Sequence, residues 1–131
     1  MRKLLCMLFM FAVLLSLSAT AVEIDSADDI IALMHQQEGF DDLSATYTLT
    51  CDIDLSTYGG ELSQKPIAPT SAAPFSGTFD GGGHTISGID IAGGQYSGLF
   101  GIFSGTVKNL TVKGTVSSGN ANDAGGIAGL A

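Results

Sequence analysis

The amino-acid sequence predicts an all-β solenoid, a stack of short strand-and-turn coils, with a helix at its N-terminal end. From Gly77 onward more than one position in four is a glycine, and these glycines separate short apolar segments as tight turns do. Similar apolar segments recur at a constant offset, and a fixed period of about 20 residues is typical of a solenoid. Each period contains strand patterns without a helical pattern, which favours a β-solenoid over leucine-rich or helical repeats.

Residues 1–21 predict a secretory signal peptide. Arg2 and Lys3 form a positive start, residues 4–17 are almost entirely apolar, and an Ala-Thr-Ala sequence then matches the cleavage rule, which places the mature start at Val22. A membrane anchor is the alternative, but an apolar stretch of about 14 residues is shorter than the roughly 20 that span a bilayer. We therefore expect a secreted, extracellular protein, in solution or associated with the cell surface, with no membrane span after cleavage.

The composition after cleavage excludes two classes of partner. Three lysines and no arginine remain against 13 acidic residues, a net charge of −10. Nucleic acids and anionic lipids bind clustered Lys and Arg, so we expect neither. Loss of Cys6 with the leader would leave Cys51 as the only cysteine, so the sequence predicts no internal disulfide. For Cys51 itself, a small core residue is favoured over a catalytic nucleophile.

A capping helix is predicted at about residues 26–37, within an N-terminal segment assigned to residues 22–40. Ser26 and Asp29 have the spacing of a capping box, in which each side chain accepts a hydrogen bond from an amide at the helix start. An apolar stripe follows at helical spacing, formed by Ile30, Leu33 and Met34. A helix this short needs a surface to pack on, and its stripe would cover the first coil and block the exposed strand edge.

The coils are assigned to residues 41–131, and about three to four coils fit this length. From Tyr47 to Leu55 apolar and polar residues alternate, which predicts one half-buried strand with Asp52 and Asp54 on its outer face. Two carboxylates suggest a metal or an acid/base pair, but the neighbouring sequence supplies no third ligand, so a solvated face is favoured.

The repeat relates residues 85–91 to residues 106–112, and we expect the aligned apolar residues to point inward and stack on one another. The aligned pairs, whose residue numbers all differ by 21, are Ile86 with Val107, Ile89 with Leu110, Ile91 with Val112, and Phe79 with Phe100. A β-sandwich is the alternative fold. It explains the alternation and the turns, but it does not explain the constant offset.

Several segments resemble a family of bacterial secreted β-helices. Residues 74–88, Pro-Phe-Ser-Gly-Thr-Phe-Asp-Gly-Gly-Gly-His-Thr-Ile-Ser-Gly, resemble its F-x-G-x-F-D-G-N-G-H-T-I-x-G coil, with Gly82 at the usual Asn position. Residues 98–101 and 107–114 resemble the G-L-F-G and I-x-N-L-x-V-x-G that follow it. Residues 125–129, Gly-Gly-Ile-Ala-Gly, are similar to the GLUG motif, G-G-L-V-G.

The resemblance covers residues 24–131 and implies a right-handed parallel β-helix. Such β-helices occur in adhesin-like surface proteins and beside peptidase domains in IgA-cleaving metallopeptidases. The resemblance implies a structural or adhesive role without catalytic residues, cofactor or metal, and partners such as host or cell-surface glycans or proteins. The GLUG unit is incomplete, so we also expect further β-helix coils or self-association at the C-terminal edge.

Two sets of residues were weighed for chemistry. His84 and Asp80 lie in one glycine-rich turn and suggest a general base with its orienting carboxylate, but no nucleophile accompanies them, so bracing of the turn is favoured. Lys108 and Lys113 are the only basic residues of the repeats. They leave open an alternative function as a carbohydrate-binding or polysaccharide-lyase-like β-helix, which would require acidic and basic side chains clustered on one outer sheet.

Overall fold

The computed structural model describes residues 21–58, 64–70, 72–92, 96–117 and 123–130. Short strands dominate, and one short helix accompanies them. In chain order the elements are β1 (Ala21–Ile24), α1 (Ala27–Met34), β2 (Thr46–Leu49), β3 (Ile53–Asp54), β4 (Thr78–Asp80), β5 (Thr85–Ala92), β6 (Tyr96–Ser97), β7 (Phe100–Ile102), β8 (Thr106–Lys108), β9 (Thr111–Ser117), β10 (Asp123–Ala124) and β11 (Ala128–Leu130).

The strands stack into a solenoid of about four coils. The first sheet has the order β1-β2-β4-β8, the second sheet has the order β3-β5-β9, and β7 pairs with β11 in a third sheet, while β6 pairs with β10. Every strand pair is parallel. We number the coils by their first-sheet strand, so that the coils begin with β1, β2, β4 and β8. An all-β solenoid is thereby confirmed, and the sandwich alternative is wrong.

The coils do not follow the constant period that the sequence predicts. The offset in residue number between stacked residues varies from 25 to 33, because the loops between sheets differ in length. The stacked pairs are Ile53 with Ile86, Phe79 with Val107, Ile86 with Val112, and Ile91 with Val116. The predicted pairs of Ile86 with Val107, Ile89 with Leu110, Ile91 with Val112, and Phe79 with Phe100 are therefore wrong.

The misleading repeat has a local cause. Residues 85–91 and 106–112 each contain a left-handed residue between two extended pieces, Gly88 with φ 70° and Asn109 with φ 54°. In the first segment this residue lies within β5, whereas in the second it separates β8 from β9. The two segments share a local bend at different positions in the coil, so their sequences match although they do not stack.

The strand predicted from Tyr47 to Leu55 is two strands joined by a corner. β2 belongs to the first sheet and β3 to the second. The alternation still separates the two faces as predicted, because Tyr47 and Leu55 are buried whereas Asp52 and Asp54 are exposed. Alternation alone does not reveal a corner, since side chains on both sides of the bend keep the same inward and outward sense.

The N-terminal segment contains a strand that the sequence pattern did not indicate. β1 pairs with β2 at the edge of the first sheet. The helix α1 follows β1 as β3 follows β2, so it takes the place in the first coil that a second-sheet strand takes in later coils. It is shorter than predicted, and its apolar stripe is fully buried in the core: Ile30, Leu33 and Met34.

The start of α1 differs from the predicted capping box. Ser26 precedes the helix in an extended conformation, but its side chain makes no capping hydrogen bond. Asp29 does reach back, and its Oδ2 accepts from the amide of Asp25 at 3.1 Å rather than from Ser26. The acidic first turn, with Asp28 and Asp29, still suits the positive end of the helix dipole.

Cys51 is half-buried at the corner after β2, with its sulfur 3.4 Å from the carbonyl oxygen of Asp25. The structure records Cys51 as disulfide-bonded. The prediction of no disulfide is therefore wrong for the full chain, because it assumed that Cys6 is removed with the leader, and Cys6 lies outside the described residues. The predicted signal peptide falls on residues 1–20, which also lie outside them, and on Ala21 of β1. Where the chain is described, no helix has both the length and the apolar content needed to cross a membrane.

Candidate functional site

Charged and polar side chains gather where the chain turns from the first sheet into the second. This corner recurs once per coil, so its residues stack along the solenoid. We call the set the corner ladder, and its members are Asp52, Asp80, His84, Lys108, Asn109 and Lys113.

Backbone geometry brings successive corners close together. The amide of Gly81 donates to the carbonyl of Lys108 at 2.8 Å, and the amide of Gly83 donates to the carbonyl of Asn109 at 2.9 Å. Gly82 between them has φ 59°, a left-handed conformation that favours glycine. A Cβ at Gly82 would also lie 2.7 Å from the carbonyl oxygen of Leu49, which is too close for an unshifted backbone. The glycine run therefore serves the turn and its contact with the neighbouring coil.

Asp52 joins the second coil to the third. Its Oδ1 accepts from the amide of Thr85 at 3.0 Å and lies 3.3 Å from Nδ1 of His84. The pKa of Asp52 is lowered, first by the hydrogen bond from the Thr85 amide, then by His84, and more weakly by the charge of Lys113. The predicted pair of His84 with Asp80 is thus replaced by a pair of His84 with Asp52, which lies one coil earlier in the stack.

Asp80 braces its own turn and joins the third coil to the fourth. Its Oδ1 accepts from the amide of Gly82 at 2.9 Å, which confirms the predicted bracing of the turn. Nδ2 of Asn109 donates to the same oxygen at 3.3 Å, and Nζ of Lys108 lies 3.9 Å from Oδ2. Asp80 is therefore the counterpart of Asp52 one coil further along.

The outward column of the first sheet changes charge along the axis. The register aligns Glu23, Thr48, Asp80 and Lys108 from the first coil to the fourth. Oε2 of Glu23 is buried without a hydrogen-bond partner, and burial raises the pKa of this carboxyl group. The acidic side chains of the column thus lie toward the N-terminal end and the lysine lies at the other end.

The ladder lies largely in solvent. The side chains of His84 and Asp52 are 35% and 77% exposed, and exposed ion pairs of this kind contribute little to stability. A His–Asp pair can act as a general base and its orienter, but catalysis also needs a reacting group aligned with it. Within the described part of the chain, no three His, Cys, Asp or Glu side chains are close enough together to hold a metal ion.

The most constrained polar side chain is Gln64, which the sequence analysis did not identify. It is only 4% exposed. Its Nε2 lies within 3.2 Å of the carbonyl oxygens of Leu55, Tyr58 and Gly88, and its Oε1 accepts from the amide of Asp90 at 2.9 Å. No local sequence signal marks this role, because all four partners lie elsewhere in the chain.

Gln64 completes the second sheet where a strand is missing. β3 is two residues long and pairs with β5 only at Ile86 and Ser87. Beyond that point, at Gly88 and Asp90, the amide of Gln64 supplies the donor and the acceptor that a longer β3 would have supplied. The side chain therefore acts as a substitute for backbone in holding the second coil to the third.

The three tyrosines do not form an open platform. Tyr47 is buried, as predicted, and its hydroxyl donates to the carbonyl of Asp42 at 2.7 Å; burial is the main cause that raises the pKa of Tyr47 to about 12. Tyr58 is half-buried and its hydroxyl bonds the carboxylate of Asp28 at the start of α1. Tyr96 is also half-buried. Tyr58 thus links the second coil to the helix.

Comparison with known proteins gives one informative similarity. The chain is 36% identical over 112 residues to Halomucin of Haloquadratum walsbyi; the match covers 79% of this chain and 1% of that protein. The chain therefore spans about 1% of the length of this relative. No known family model matches the chain, and no solved structure matches it.

Proposed function

We propose that this chain is a structural module of a secreted or cell-surface protein, in which stacked coils form a rigid body that presents its outer face for adhesion. It carries out no chemistry of its own and uses no cofactor or metal. The module belongs to the right-handed, GLUG-type β-helices that its motifs resemble. The helix α1 covers the N-terminal end of the stack, and residues 22–40 and 41–131 divide the mature chain into cap and coils.

The engagement of polar side chains between coils is the observation that carries this proposal. Gln64, Asp52 and Asp80 each bond groups 24 to 33 residues away in the chain. A site that acts on a substrate needs polar groups free to meet it, whereas these groups are occupied in joining neighbouring coils. The proposed role is therefore one in which persistence of shape matters more than reaction.

The similarity to Halomucin supports the proposed location. Its name designates a mucin, a term for large extracellular proteins, and a small module repeated or combined within a long chain suits such a protein. The predicted leader points to the same compartment. Cleavage between Ala21 and Val22 would leave the new N-terminus within β1.

Export and adhesion can be tested separately. For export, mass spectrometry of the protein recovered outside the cell should find Val22 as the first residue; a protein retained in the membrane fraction with its leader would overturn the secreted location. For adhesion, the purified protein should bind intact cell surfaces or immobilised glycans in a saturable manner, and heat-unfolded protein should not. Equal retention of folded and unfolded protein would contradict an adhesive outer face.

A second candidate, a polysaccharide-lyase-like or carbohydrate-binding β-helix, is favoured by one observation. The corner ladder brings Lys108 and Lys113 near the carboxylates of Asp80 and Asp52, which is the acidic and basic cluster that this function needs. The test is an assay of cleavage and binding on acidic polysaccharides with Lys108→Ala and Lys113→Ala, and with Lys65→Ala, an exposed lysine outside the ladder, as control. Turnover lost only in the two ladder variants would replace the structural proposal.

A further inference from the structure

The last described coil leaves its inward side chains partly uncovered. Val107, Val112 and Val116 occupy inward positions stacked on fully buried residues of the third coil, yet all three are half-exposed. Leu110 and Ile127 of the same coil are also only partly buried. We call these five residues, with the outer edges of β8, β9 and β11, the C-terminal end face.

The end face also presents unpaired backbone. Within the described residues, β8, β9 and β11 are each the last strand of their sheets. The outer N–H and C=O groups of such strands are a template for pairing with another chain. Apolar side chains bordered by strand edges are therefore the chemistry of this surface, and a partner must offer the same.

We propose that the C-terminal end face is an interface between two copies of this chain, related by a two-fold axis. A two-fold contact brings the same patch from each copy together, so each apolar side chain and strand edge meets its equivalent. The opposite end does not offer a matching surface, because α1 rather than a strand stands in the first coil next to the second sheet. A helix is about 10 Å thick and strands are about 4.8 Å apart, so it prevents flush end-to-tail stacking.

The distribution of charge favours the same pair of ends. Seven of the 13 acidic residues lie between Glu23 and Asp42, at the N-terminal end, whereas the only charged residues from Phe100 to Ser117 are Lys108 and Lys113. Two molecules with a net charge of −8 each repel one another. Contact through the C-terminal end faces keeps the most acidic segments of the two molecules farthest apart.

The size of the face sets the expected strength. β9 has seven residues and so spans about 23 Å, which gives an end face of about 400 Å² per partner if its other dimension is similar. That area is at the low end for protein interfaces. We therefore expect a dimer with micromolar affinity that dissociates on dilution, and this association does not depend on the adhesive role proposed above.

Sedimentation of the purified protein over a wide range of concentration tests the inference, with Val116→Lys and a matched control, Thr115→Lys. The control adds the same charge on the same strand at an exposed position. We expect a dimer for the native protein and for Thr115→Lys, and dissociation at least about tenfold stronger for Val116→Lys, because it places a charge at the centre of the contact. A native protein that is monomeric throughout, or equal weakening by both variants, would overturn the proposal.

Two further measurements protect this test. If circular dichroism shows that Val116→Lys does not fold, Val116→Thr replaces it, since threonine keeps the β-branched shape; it should weaken the dimer while the strand signal is retained. Added salt should strengthen the dimer by screening repulsion between acidic molecules. A dimer that dissociates in salt would indicate lysine–carboxylate contacts between opposite ends, and that result would also overturn the proposal.

Discussion

The third and fourth coils place similar side chains at the same register positions, but they bury them to different degrees. In the third coil the inward residues are 0% exposed, whereas their stacked partners in the fourth coil are half-exposed. The compared pairs are Phe79 with Val107, Ile86 with Val112, and Ile91 with Val116. A coil of a solenoid cannot enclose its own core, so burial depends on a neighbour on each side.

The largest expected difference between the coils concerns matched β-branched residues. Ile86 lies between Ile53 and Val112 in the stack, so Ile86→Ala should lower the free energy of unfolding by about 2–5 kcal/mol. Val112→Ala should lower it by about 1 kcal/mol or less, because less apolar surface is withdrawn from water there. Urea unfolding of both variants measures the difference. Equal costs would contradict the proposed contrast between enclosed and terminal coils.

The junction between the second and third coils can be weakened through Gln64. Gln64→Glu keeps the size of the side chain but removes the donor that faces three carbonyl oxygens, so the free energy of unfolding should fall by about 1–3 kcal/mol at neutral pH. Burial raises the pKa of a glutamate at this position, so the protonated form is favoured in the fold. The variant should therefore approach native stability in acid and lose it as the pH rises.

Gln37→Glu is the matched control for this substitution, since Gln37 is exposed after α1. Its unfolding free energy should stay within about 0.5 kcal/mol of the native value. A loss at Gln37→Glu as large as that at Gln64→Glu would indicate a general effect of added negative charge on an acidic protein. That outcome would remove Gln64 from its assigned role between the coils.

A smaller effect is expected from the charge of Asp52, which also joins the second and third coils. Its pKa is lowered in the fold, so its contribution to stability is present above the ordinary pKa of a carboxyl group and is lost as the pH falls through the lowered value. Asp52→Asn keeps the shape and an acceptor for Thr85. It should be less stable than the native protein at neutral pH, and the two should converge in acid.

Stability measured across pH for Asp52→Asn, beside Asp90→Asn as an exposed control on β5, tests this contribution. A difference from the native protein that persists unchanged in acid would show that the substitution acts through shape or packing. It would then be wrong to assign the effect to the charge contact with His84 and the Thr85 amide.

The contrast between the coils should disappear on the outer face. Asp90 and Thr115 are register partners on β5 and β9, and both are exposed. Replacing either by Ala should change the free energy of unfolding by no more than about 0.5 kcal/mol. A markedly larger cost for Asp90→Ala in the same urea experiment would mean that the outer face of the enclosed coil also carries stabilising contacts.

The sequence by itself determined the all-β solenoid, the inward and outward sense of most residues, and the apolar stripe of α1. These features depend on local alternation, on helical spacing and on glycine turns, which are written in short stretches of the chain. The match between residues 85–91 and 106–112 was also local, since a left-handed bend at Gly88 and another at Asn109 gave two stretches the same pattern.

Only the tertiary structure decided which coil positions stack, that His84 pairs with Asp52 rather than with Asp80, that β1 precedes α1, and that Gln64 completes the second sheet. The partners in these contacts lie in different coils, and the varying loop lengths between them change the register without changing any local pattern. Burial follows the same logic, because a valine in the fourth coil and an isoleucine in the third have equivalent positions within a coil and differ only in what stacks upon them.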